Sequence, residues 1–231
     1  MISNKNKGGT MRKFTLSFLT IMMIGFSNFL SAQTDSIYIG GTTSTSNHTS
    51  FDSEGTMWLQ NATTQWEDIR VSLITRGSGG VNPTFSLMQG NLYAYKFSGT
   101  ADNEVMFEVQ LPHSWKEGTT IYPHVHWASN GASTSTVTWG LEYEWQNING
   151  TFGGSTSTIS VSATPGGTKV QNINNISATG ITETDKKISS MIMCRLYRLG
   201  NTDPNNDDCF LLAFDIHFEI NTIGSRNTTT K

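Results

Sequence analysis

Three stretches of the chain alternate apolar and polar residues with a period of two. Residues 121–127 read Ile-Tyr-Pro-His-Val-His-Trp, 139–145 read Trp-Gly-Leu-Glu-Tyr-Glu-Trp, and 214–220 read Phe-Asp-Ile-His-Phe-Glu-Ile. That period sends alternate side chains to opposite faces of a β-strand, so each stretch offers one apolar face to a core. The other face carries His124, His126, Glu142, Glu144, Asp215, His217 and Glu219. Strands are predicted over 92–98, 104–111, 121–128, 136–148, 151–162, 187–199 and 209–221, with a short one near 85–88. Each is rich in β-branched or aromatic residues and bounded by Gly, Asn or Pro. Asn149-Gly150 predicts a tight type I′ hairpin between two of them. No segment outside the N-terminus has helical periodicity. The expected fold is all-β, a single-domain antiparallel two-sheet sandwich of jelly-roll type.

The N-terminus follows a different pattern. Lys5, Lys7, Arg12 and Lys13 precede an apolar run from Phe14 to Leu30, which ends in Ser31-Ala32-Gln33. This is the order of a secretory signal peptide spanning 1–32. Residues 33–56 are Thr-, Ser- and Gly-rich and read as a flexible arm. The folded domain is expected over 57–231. The signal holds four of the fifteen Lys and Arg and none of the eighteen acids, which leaves eleven against eighteen, or −7. An acidic surface excludes the electrostatics of nucleic-acid binding. The signal order places the mature chain outside the inner membrane, secreted, periplasmic or at the cell surface. Cys194 and Cys209 are expected as reduced, buried thiols. A hairpin through 201–208 would set residue 200 against 209, too far out of register for a disulfide.

The polar faces are where chemistry could sit. His124 and His126 lie two apart on one strand, a spacing that suits two imidazoles on one metal ion, with His217, or else Glu142, Glu144, Asp215 or Glu219, as a third ligand from another strand. The same face also fits a hydrogen-bonded or intersubunit His–carboxylate network. The loop Asp203-Pro204-Asn205-Asn206-Asp207-Asp208 spaces oxygens at alternate positions but lacks the Gly and terminal Glu of a helical calcium loop, so it reads as an acidic hairpin turn. Ser78 sits in a Gly-rich loop without a strand–turn–helix context, and no phosphate loop or dinucleotide fingerprint occurs. The six Trp residues read as core packing, with a sugar-stacking platform as the other use. No catalytic set emerges and no cofactor is expected.

Several motifs share an order along the chain. They are Trp66-Glu67-Asp68-Ile69-Arg70, the run from Val109 to Gly118, Tyr122-Pro123-His124-Val125-His126-Trp127, Trp139-Gly140-Leu141-Glu142-Tyr143, Ile188-Ser189-Ser190-Met191, and Asp215-Ile216-His217-Phe218 through Arg226. The series, over roughly 57–226, resembles a group of tailed-phage virion-associated proteins. The resemblance implies a structural role, in a virion or on a bacterial surface, and assigns no ligand residues. The expectation is therefore a non-enzymatic structural or attachment protein that forms a homo-oligomer and contacts virion or cell-surface proteins or glycans. The alternatives are a secreted carbohydrate-binding module using exposed aromatics, and a metal-dependent enzyme centred on His124 and His126.

Overall fold

The computed structural model describes residues 37–40, 47–60, 65–76 and 81–231, so the signal segment lies outside the described residues. Thirteen strands follow one another: β1 (Ile37–Gly40), β2 (His48–Phe51), β3 (Met57–Gln60), β4 (Gln65–Arg70), β5 (Thr84–Gln89), β6 (Leu92–Phe97), β7 (Asp102–Gln110), β8 (Tyr122–Ser129), β9 (Val137–Gln146), β10 (Ser157–Ala163), β11 (Asn172–Asn175), β12 (Met191–Leu199) and β13 (Cys209–Ile220). Among the described residues there is no helix.

The last eight strands form a jelly roll. The pairs β6–β13, β7–β12, β8–β11 and β9–β10 are nested and antiparallel, as if one long hairpin had been rolled over. Rolling produces two sheets, β10-β9-β12-β7 and β11-β8-β13-β6, and β5 extends the second at its edge beyond β6. β4 pairs with the far half of β13. β1 and β2, within the segment read as an arm, join β3 in a small sheet of their own. That sheet is anchored to the end of β13 through a Trp58–Thr222 bridge and the Leu59 amide on the Asn221 carbonyl, 2.8 Å.

The inner faces follow the predicted alternation. On β9, Val137, Trp139, Leu141, Tyr143 and Trp145 point inward, against Val125, Trp127, Phe214, Ile216 and Phe218 of the other sheet. Four of the six Trp residues are buried here, as expected for core packing. Trp127 donates to Asn174 and Trp145 to Ser190, each at 2.8 Å. The indoles of Trp115 and Trp139 have no acceptor, at a cost of about 1–3 kcal/mol each.

Two local expectations are corrected. Asn149-Gly150 is not the centre of a two-residue hairpin. Tyr143 pairs with Ser157, so β9 ends at Gln146 and a ten-residue loop reaches β10. Within it the Gly150 amide donates to the Asn147 carbonyl, 2.8 Å, and of the Asn149-Gly150 pair only Asn149 takes a left-handed φ, 66°. The Glu144 carboxylate accepts from the Gly153 and Gly154 amides and holds the wider loop. Nor do β12 and β13 form a hairpin, since they belong to opposite sheets.

The acidic loop 203–208 is the crossover between those two strands, organised around a buried guanidinium. Arg198, fully buried on β12, donates Nε to Asp203 at 3.0 Å, and its terminal nitrogens to the carbonyls of Asn205 and Asp207 at 2.7 and 2.8 Å. An arginine fills the place that the oxygen spacing offered to a cation. Both cysteines are free and buried. Burial pushes the Cys209 thiol up to about 12 and Cys194 in the same direction.

Candidate functional site: a histidine–aspartate cluster on the outer sheet face

Of the predicted polar face, the structure gathers His124, His126, Asp215 and His217 and disperses the rest. β8 and β13 are neighbours, and their register sets Asp215 opposite His124 and His217 opposite Tyr122. A bulge between Leu211 and Ala213 makes this possible. Leu211 and Phe214 both face the core, which strict alternation forbids, and the extra residue returns Asp215 and His217 to the outside. On the other side of β13, β4 places Asp68 opposite His217 and Trp66 opposite Glu219.

The cluster is held by short contacts. His126 Nε2 lies 3.0 Å from Asp215 Oδ2, and His217 Nε2 lies 2.8 Å from Asp68 Oδ1. Gln171 lies 3.3 Å from His126 Nδ1. If the amide donates there, His126 carries its proton on Nε2, facing Asp215. The His124 and His217 rings meet edge-on at 4.8 Å. His124 is buried, and burial holds it below the ordinary imidazole range, with His217 adding to the effect. Its Nδ1 sits 3.4 Å from Asp215 Oδ1, an oxygen that is buried without a hydrogen-bond partner. Trp66 forms the rim, 45 % exposed, with its ring 5.6 Å from Tyr122 and 5.9 Å from His217.

The other acids belong elsewhere. Glu219 pairs with Lys116 at 2.6 Å. Glu142 and Glu144 lie on β9, in the opposite sheet. Glu142 accepts from Thr156 at 2.8 Å and from Arg195 at 3.0 Å, in a groove of about 480 Å³ whose lining includes Ile74, Met106 and Met193. Thr156 and then Arg195 hold Glu142 below the usual carboxylate range, and the Gly153 amide does the same for Glu144. Two carboxylates held ionised in this way lack the raised pKa of a general acid.

Asp68, Trp66 and Tyr122 were absent from the predicted site. The alternation of Trp66, Asp68 and Arg70 along one face of β4 was the available signal. That β4 sits beside β13 was not visible in the sequence.

The chain matches no protein-family model, and no curated protein matches it. Among solved structures it is similar to the carbohydrate-binding module TmCBM61 in complex with β-1,4-galactotriose, at 15 % identity and a TM-score of 0.30, covering 65 % of this chain and 86 % of that one. It is also similar to the enzymatically active domain of tailspike protein 4 of bacteriophage CBA120, at 8 % identity and a TM-score of 0.32, covering 69 % and 20 %. A third similarity is to an arabinose-bound α-L-arabinofuranosidase, MgGH51, at 14 % identity and a TM-score of 0.28, covering 69 % and 25 %. The chain thus spans a quarter or less of the last two proteins. Overlaps this loose transfer neither ligand nor activity.

Proposed function

We propose that the protein is a non-enzymatic structural or attachment protein that works by assembling with copies of itself after export. The observation behind this reading is the hairpin β5–β6. Phe85 is 65 % exposed, and Leu87 and Tyr93 are each more than half exposed. Phe85 and Leu87 stand opposite Tyr95 and Tyr93, and Tyr95 in turn stands opposite the buried Leu211. This apolar strip therefore continues the inner face of its sheet. The strip lies on the two outermost strands of its sheet and is left open to solvent. Apolar patches of this kind mark interaction surfaces.

β5 is also an edge strand. Its sequence, Thr-Phe-Ser-Leu-Met-Gln, has neither charge nor Pro, the devices that normally blunt an edge. Lys169 takes the Met88 carbonyl at one end, 2.7 Å. A second copy of the chain fits the remainder. A neutral patch is compatible with itself, as a two-fold interface requires, and two β5 edges can pair antiparallel. Light scattering on the purified chain should give a mass above 25.4 kDa that falls on dilution. Leu87→Lys with Tyr93→Lys should yield a folded monomer. A wild type that is monomeric at every concentration, or a double variant that assembles unchanged, rules the reading out.

A second reading, glycan binding, rests on Trp66 beside Tyr122, His217 and Asp68, an exposed aromatic face next to hydrogen-bonding groups. A tryptophan fluorescence change with oligosaccharides that disappears in Trp66→Ala favours it.

A further inference from the structure

The outer-face cluster supports a step that does not depend on the assembly reading. We propose that Asp68, His124 and His217 bind a divalent transition-metal ion of the zinc type, with one coordination position open to solvent.

One ligand atom from each of the three residues lies within 4.8 Å of the other two. Zinc bonds to nitrogen and oxygen are about 2.0–2.2 Å, so tetrahedral ligand atoms stand roughly 3.4 Å apart, within reach of side-chain rotation here. The three residues come from adjacent strands, β4, β8 and β13, whose register is fixed by backbone pairing. Rigid elements of this kind give a preset site.

Asp215 supplies the second observation. Its Oδ1 is buried and unpaired, 3.4 Å from His124 Nδ1. A small turn of the His124 ring would let a proton on Nδ1 reach that oxygen and leave the lone pair of Nε2 for a metal. This is the carboxylate–histidine–metal arrangement by which an outer residue orients a ligand. His126 is occupied by Asp215 and Gln171. The ligand set is therefore Asp68, His124 and His217, rather than the two-apart pair on β8. Two imidazoles and one carboxylate suit zinc, nickel or copper over calcium and magnesium, which take oxygen ligands. Asp68 is about half exposed and His217 somewhat less, so an ion can enter and a water can complete the shell.

The test is titration of zinc chloride into the chelator-stripped full chain at neutral pH, followed by calorimetry, with cobalt absorption as a report on geometry. The expected result is one ion per chain, with binding weakened at least tenfold in His217→Ala and in Asp68→Asn and kept in His126→Ala. If His217→Ala fails to fold, as judged by circular dichroism, Asp68→Asn decides alone. No stoichiometric binding by the wild type overturns the proposal. So does binding that survives Asp68→Asn, or that is lost in His126→Ala while His217→Ala retains it.

Discussion

Arg198 is the residue on which one end of the roll depends. Its charge is fully buried with that of Asp203, and its remaining donors are spent on the carbonyls of Asn205 and Asp207. A buried pair of this kind adds little net stability over apolar packing, but removing one partner leaves the other charge stranded. Arg198→Met should therefore lower stability in urea by about 3–5 kcal/mol. Arg198→Met combined with Asp203→Leu should recover part of the loss. Equal loss in the single and double variants would show that the guanidinium acts only by filling space. The glycines around this loop report the same crowding. A Cβ on Gly131 would lie 2.2 Å from the Asp207 carboxylate, and one on Gly99 would lie 2.1 Å from the Asn206 carbonyl oxygen.

At the scale of elements, the loop between β9 and β10 shows how one residue displaced from its expected role changes a turn. Asn149 carries the left-handed φ, while Gly150 is constrained by space instead, since a Cβ there would meet Gln146 Oε1 at 2.8 Å and the Asn147 carbonyl oxygen at 2.9 Å. Asn is among the few non-Gly residues that adopt this φ readily. Asn149→Gly should be neutral within about 0.5 kcal/mol, whereas Asn149→Val should cost about 1–3 kcal/mol, both read from thermal or urea melts. Equal stability of the two variants would place the strain elsewhere. The bulge in β13 is the other decisive local feature, because it sets which of its side chains reach the outer face.

Across the whole molecule, acid stability follows from carboxylates held ionised by their partners. Asp52 is lowered by the Trp58 indole, Glu142 by Thr156 and Arg195, and Glu144 by the Gly153 amide. For Asp208, burial pushes upward, but Lys96 at 2.8 Å and the Gly99 amide outweigh it. A carboxyl lowered in the folded state binds its proton more readily when unfolded. Its contribution is present above its ordinary pKa and is lost as pH falls through the folded value. The melting temperature should thus decline as pH drops from about 5 to about 3, the range in which unfolded carboxyls take up protons. Lys96→Met, which releases Asp208, should make that decline shallower. A variant with the wild-type slope would remove Asp208 from the account.

Much of the architecture was legible in the chain. The period of two on residues 121–127, 139–145 and 214–220 follows from strand geometry alone, so the strands, their inner faces and the all-β class needed no tertiary information. The jelly roll was reachable as a class because eight short strands with polar connections have few ways to bury one face each. What the sequence could not decide was which strands are neighbours. The alternation marks which side of a strand is polar but not what stands beside it. The tertiary pairing therefore decided that Glu142 and Glu144 lie in the opposite sheet from His124, that β4 brings in Asp68, and that the acidic loop closes on Arg198. The first two depend on strands distant in sequence, placed by the rolling of the nested hairpin and by a single bulge in β13, neither of which leaves a local mark in the sequence. The third spans only five to nine residues, but it is buried only because the loop crosses between the two sheets.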